Sequence, residues 1–199
     1  MDTKLKVNSK IIFSTLLTSL FLLIYGCSPS GILATGGGTA MVVAEGDRSL
    51  GGVVDDATVK INIAAKFLNA GNNLFVDINT TVLEGRVLLT GLVDNQELRI
   101  EAVRLVWEIE GVREVINEIE IGNRESIKDY AKDLWINTQA RGVAAKTLGL
   151  RAVAYNFETI NGKIYVAGVT SKPDQLDILI DSLKSIKGVK EIINYVIVK

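Results

Sequence analysis

Shifted by 77 residues, this sequence overlays itself without a gap from about Val76 onward. Gly85-Arg86-Val87-Leu88-Leu89-Thr90-Gly91 falls on Gly162-Lys163-Ile164-Tyr165-Val166-Ala167-Gly168, and Gly111-Val112 falls on Gly188-Val189. Ile116 lands on Ile193 and Asn117 on Asn194; upstream, Asp56 lands on Asp133 and Val59 on Ile136. A pattern carried twice has to fold twice, and two copies are too few to stack as a solenoid. The spacing therefore predicts two tandem domains, over 53–122 and 124–199.

Each copy reads as α-β-β-α-β. The shared apolar positions Val59, Ile63 and Phe67, matched by Ile136, Ala140 and Ala144, recur at i, i+4 and i+8, as one face of a helix requires. Asp56 and Asp133 are candidates for the N-caps of these helices. A β-rich run follows, over Phe75–Leu83 and Ala152–Ile160. Glu84-Gly85 and Asn161-Gly162 then supply hairpin turns, Asn-Gly being the stronger signal. Return strands fall at Val87–Leu92 and Ile164–Val169. Second helices cover 95–109 and 172–186, with Gly111 and Gly188 where C-terminal caps belong. Final strands lie at Val115–Ile121 and Glu191–Val198. The expected class is α+β: two αββαβ domains, each a small mixed three-stranded sheet with two helices on one face.

The N-terminus reads as an address. Lys4, Lys6 and Lys10 precede an uncharged apolar stretch, Ile11–Ile24, which is short for a membrane span but suits a secretory signal peptide. The chain's one cysteine follows in Ile24-Tyr25-Gly26-Cys27, which resembles a bacterial lipoprotein signal with Cys27 as the lipidated residue. Residues 1–26 are thus expected to be the signal peptide. By resemblance to bacterial sorting rules, Ser28 in place of an aspartate favours the outer membrane. Residues 27–52, rich in glycine and small side chains, read as a lipidated tether; the alternative is that their short apolar runs lie on the membrane or on the folded part.

The Asp-start helix, the V-x-L-x-G strand end and the closing G-V-x-x-V-x-N (Gly111–Asn117; Gly188–Asn194) resemble BON domains. Two of them behind a lipoprotein signal resemble the dual-BON-domain outer-membrane lipoproteins linked to envelope integrity and division sites. The resemblance implies a lipid-anchored protein of the outer membrane, facing the periplasm.

Composition removes most catalytic chemistry. With no histidine and one cysteine, histidine triads, histidine–metal sites, intrachain disulfides and CxxC sites are excluded. The glycines lack the GxxxxGK[ST] pattern of a nucleotide phosphate cradle. Paired acids such as Asp55-Asp56 or Glu118 and Glu120 make a poor acid/base couple, since Asp56 is better used as a cap. The expectation is no enzyme activity, no cofactor, no metal and no small-molecule substrate.

Function is sought where the copies differ. Residues 55–122 hold twelve acidic and six basic side chains, a balance of −6; residues 124–199 hold eight and twelve, a balance of +4. A basic half is drawn to anionic phospholipid headgroups, at about 1 kcal/mol per Lys or Arg near the surface; ordinary charge scatter is the competing reading. No aromatic-studded basic strand points to nucleic acid. Trp135 stands where the first copy has Thr58, so the fold does not need it. In the lipoproteins resembled, a Trp-Ile pair early in this helix belongs to the phospholipid-contacting surface, and Trp135-Ile136 matches it. With Lys128, Lys132, Arg141, Leu134 and Val143 it forms the candidate phospholipid-binding set; packing of Trp135 at the seam between domains is the alternative.

In the first copy's second helix, Leu98, Ile100, Leu105 and Trp107 replace Gln175, Asp177, Ser182 and Lys184. Extra apolar area on one copy suggests a contact between the domains, with a wider private core or an outside protein as alternatives. The expected function is non-enzymatic binding of anionic phospholipid in support of the envelope. The alternative is a periplasmic scaffold for envelope proteins such as assembly machinery or cell-wall hydrolase regulators.

Overall fold

The computed structural model describes residues 50–122 and 127–199, so the expected signal peptide, Cys27 and most of the tether lie outside the described residues. Among those described, no helix is long and apolar enough to cross a membrane. The first half runs α1 (Leu50–Ala70), α2 (Leu74–Asp77), β1 (Ile78–Leu83), β2 (Arg86–Val93), α3 (Gln96–Trp107) and β3 (Glu114–Ile121). The second runs α4 (Ile127–Leu148), a 3-10 helix (Gly149–Ala154), β4 (Tyr155–Ile160), β5 (Lys163–Thr170), α5 (Pro173–Lys184) and β6 (Glu191–Val198). The αββαβ order is borne out in both halves. The tether was expected to reach residue 52, but α1 already begins at Leu50.

Each sheet has its middle strand in the middle, β1-β2-β3 and β4-β5-β6, with one antiparallel and one parallel pairing. The parallel partner follows from the intervening helix, since only a crossover connection returns the chain in the same direction. The two helices of each half cover one face of its sheet. Val59, Ile63 and Phe67 of α1 meet Val87, Leu89, Ala102 and Val106; Ile136, Ala140 and Ala144 of α4 meet Ile164, Val166, Leu179 and Leu183. The strands before the hairpins are shorter than expected, because Leu74–Asp77 and Gly149–Ala154 form helical turns ahead of β1 and β4.

Asp56 and Asp133 are not N-caps. The helices begin six residues before each of them, and the carboxylates point at the hairpin turns instead. Asp56 accepts from the backbone N–H groups of Glu84 (2.8 Å) and Gly85 (2.9 Å); Asp133 accepts from those of Asn161 and Gly162, both at 2.8 Å. Both turn residues have positive φ (Glu84 55°, Gly85 76°; Asn161 52°, Gly162 80°), the two-residue turn that matches strand twist. Successive N–H groups in such a turn form a small anion-binding concavity. Each aspartate therefore pins its helix to its hairpin.

The seven consecutive buried residues in β2 and again in β5 require cover on both faces. The helices cover one. The other faces of the two sheets pack against each other around Leu83, Leu88, Ile116, Ala167, Tyr195 and Ile197. The contact between the domains is therefore sheet on sheet. Leu98 and Leu105 instead pack into the first domain's own core, while Ile100 and Trp107 remain 58% and 52% exposed. The expectation that these four join the domains is corrected. The physical reason lies in the strands: an unbroken apolar run such as Val87-Leu88-Leu89 has no solvent face, whereas a helix can carry apolar surface outward.

Candidate functional site

A polar girdle borders the dry seam, and most of its bonds run from donors of the second half to acids of the first. Lys163 Nζ lies 2.8 Å from Glu120 Oε1, and Asn161 Nδ2 donates to Glu120 Oε2 at 2.7 Å. The Tyr195 hydroxyl donates to Glu118, Lys199 pairs with Glu84, and Asn79 Nδ2 donates to Glu158 Oε1 at 3.0 Å. Burial opposes charge on Glu120, but the hydrogen bonds from Lys163 and Asn161 outweigh it and hold the carboxyl below its ordinary range. The bond to Glu120 holds Lys163 above the usual lysine value. Burial, followed by the bond to Glu118, pushes the Tyr195 hydroxyl up to about 12. Part of the opposite charge of the two halves is therefore used to join them.

A second group of the second half's cations lies on α4. At 100° per residue, Lys128 and Trp135, seven apart, lie within about 20° of one another, and Lys132 is about 60° away. Trp135 is 47% exposed and Leu134 55%; Lys128, Lys132 and Arg141 are exposed too. The structure brings Trp135, Lys128 and Lys132 to one outward face. Arg141 lies on the other flank, where its guanidinium donates to the Phe157 carbonyl of β4 at 3.3 Å. Val143 is half-buried against the second core, so it leaves the candidate surface.

Three lysines escaped the sequence reading. Lys146 is exposed and lies eleven residues after Trp135, on the same stripe of α4. Lys187 and Lys190 flank Gly188 in the loop before β6, and the Lys132 side chain runs past that glycine. In the first half the corresponding residues are Asp55, Glu110 and Arg113, which with Glu84 rim an open cavity of about 460 Å³. Lys132, Lys187 and Lys190 replace Asp55, Glu110 and Arg113. Comparing the copies loop by loop as well as helix by helix would have found them.

Among the described residues no group of three His, Cys, Asp or Glu side chains could hold a metal ion. The geometry offers instead a convex helix face, a half-exposed indole and a surround of cations, which suits a surface better than a small molecule.

Comparison with known proteins agrees with the doubled fold. The BON domain profile matches residues 55–123 and 132–199. This chain belongs to the BON-domain family. It is 36% identical over 147 residues to an uncharacterized protein of Anaplasma centrale, covering 73% of this chain and 96% of that one. It is 30% identical over 159 residues to the outer membrane lipoprotein DolP of Haemophilus influenzae, covering 79% of this chain and 82% of the relative. To the osmotically-inducible protein Y of Escherichia coli it is 25% identical over 196 residues, 96% of each chain. The similarity thus extends across both domains.

Proposed function

We propose that this BON-domain protein is a non-enzymatic lipoprotein, anchored through Cys27 to the outer membrane and facing the periplasm, whose second domain binds anionic phospholipid. The likeness to an outer membrane lipoprotein supports the location, and the lipoprotein-like signal before Cys27 supports the anchor. The observation that carries the binding reading is the outward placement of Trp135 beside Lys128, Lys132 and Lys146 on a helix whose counterpart folds with Thr58 in that position. An indole with one apolar body and one polar edge rests at a bilayer interface, and lysines around it meet phosphate. The protein then supports the envelope by holding a membrane-facing surface at the end of a tether.

The test uses the chain from Ser28 onward with vesicles of graded anionic content. Binding is expected to rise with anionic lipid, weaken with salt and disappear in Trp135→Glu. An absence of binding at every composition overturns this reading.

A scaffold role for envelope proteins is the second reading. The observation favouring it is apolar surface left outward on the first domain: Ile100 and Trp107 on α3, and Val54, Ile61 and Leu68 at seven-residue spacing on α1. The second domain has Asp177, Lys184, Ala131, Thr138 and Ala145 in those places. Under this reading Trp107→Glu abolishes partner capture in crosslinking, and Trp135→Glu leaves it intact.

A further inference from the structure

Beneath Leu134, between α4 and the edge strand β4, lies a partly enclosed pocket of about 60 Å³ lined by Tyr130, Asp133, Leu134, Asn137, Glu158 and Thr159. Two of its polar atoms, Thr159 Oγ1 and Asn137 Oδ1, are buried and have no hydrogen-bond partner among the described residues. Thr159 is only 4% exposed. The other copy shows that the fold does not ask for these groups: Val82 stands where Thr159 does and Lys60 where Asn137 does. Val82 belongs to the first domain's core, so an apolar side chain serves that position. A hydroxyl and an amide oxygen buried without partners, where the repeat manages with neither, indicate that something else completes them.

The pocket's chemistry narrows what that is. Its lining holds two carboxylates, Asp133 and Glu158, and neither lysine nor arginine. Both carboxylates are already hydrogen-bonded, Asp133 to the Asn161 and Gly162 N–H groups and Glu158 to Asn79, so they supply negative field more than open ligand positions. The unpartnered Asn137 oxygen is an acceptor, and the Thr159 hydroxyl oxygen has acceptor lone pairs. A small cation carrying several N–H donors fits the charge and the hydrogen-bonding need. An ammonium group is about the size of a water molecule, which takes roughly 30 Å³, so the volume admits it. A trimethylammonium has no N–H to offer these acceptors.

We infer that the α4–β4 pocket is a primary-ammonium site, completed by Thr159 and Asn137. On α4, Tyr130 and Asn137 lie roughly 140–160° around the helix from Trp135, on the flank that carries Arg141, so a free small amine is one source of the ammonium, and the ethanolamine headgroup of a phospholipid that reaches this flank is the other. The lipid source rests on the bilayer reading above; the ammonium site itself does not.

The experiment separates the two. The chain from Ser28 is titrated with vesicles of one fixed anionic fraction, the remainder carrying either choline or ethanolamine headgroups. In parallel, free ethanolamine is titrated while the amide resonances of Asn137 and Thr159 are followed. Ethanolamine vesicles are expected to bind roughly five- to tenfold tighter than choline vesicles, the return for satisfying a buried charged donor. Thr159→Val, which copies the first domain's residue, should remove that gain and leave binding to choline vesicles unchanged. A vesicle gain lost in Thr159→Val supports the headgroup source. No vesicle gain, with saturable resonance shifts from free ethanolamine that vanish in the variant, supports the free-amine source. A gain the variant retains, or neither response, overturns the ammonium site while leaving bilayer binding untouched. Failure of both vesicle types to bind overturns the bilayer reading and the headgroup source together, and the free-amine titration alone then decides the site.

Discussion

Asp56 and Asp133 each do from inside a helix what a capping residue does at its end, accepting two backbone N–H groups with one carboxylate. Because the donors belong to a turn 28 and 29 residues away, the bond is tertiary. Hydrogen bonds to a charged group contribute more than neutral ones, so Asp56→Ala should destabilise the first domain by about 3 kcal/mol. Asp56→Asn, keeping one acceptor, should lose about half as much; urea midpoints of the two variants check the ratio. Gly91 and Gly168 are fixed by space. A Cβ on Gly91 would stand 2.1 Å from the Asp77 carbonyl oxygen, and one on Gly168 2.7 Å from that of Ala154. Neither obstacle is a side chain that can rotate away. Gly91→Ala should therefore cost about 3 kcal/mol or more, with Gly168→Ala milder, measured as the order of their melting temperatures.

Among the elements, α4 departs from its counterpart in what its outward face carries. Both helices bury the same i, i+4, i+8 face, but α1 turns Val54, Ile61 and Leu68 outward where α4 turns Ala131, Thr138 and Ala145. Its flank adds Trp135 among lysines. Helix identity was legible in the sequence because 3.6-residue periodicity is a local property. Membership of the outward face was legible for Trp135, Lys128 and Lys132, but not for Arg141 and Val143, whose neighbours are set by β4 and the second core. If the cationic face meets phosphate, Lys132→Gln and Lys190→Gln should each weaken binding to anionic vesicles by about 1 kcal/mol, roughly fivefold. Arg141→Gln should change it less, because that guanidinium lies off the stripe and is already engaged. Dissociation constants at low and high salt decide between them.

Across the described residues, the paired sheets join two domains that each have their own core. Ala167 is 2% exposed within the dry part of the seam. Ala167→Glu buries an unpaired charge there, and should cost about 3 kcal/mol and part the domains without melting either core. Scattering profiles and a split of one unfolding transition into two would show it. The girdle makes the seam pH-sensitive on both sides. Glu120, held below its ordinary value of 4.5, stabilises the folded state above that pH, and the contribution is lost as pH falls through the folded value. Lys163, held above 10.5, contributes fully below that pH and loses its contribution as pH rises through its folded value. Acid titration of stability should therefore show a limb that is flatter in Glu120→Gln.

The repeat at constant offset was enough by itself to determine the number of domains, their element order and the positions of both helical cores, because those depend on local periodicity and on turns of two residues. What lies across from what was decided only by the tertiary structure. The apolar second faces of β2 and β5 found each other and took up acids and donors that charge counting had left free. The aspartates that looked like helix starts found partners in distant turns. Such pairings join residues far apart in the chain, and a one-dimensional pattern names the faces that need cover without saying which face covers which.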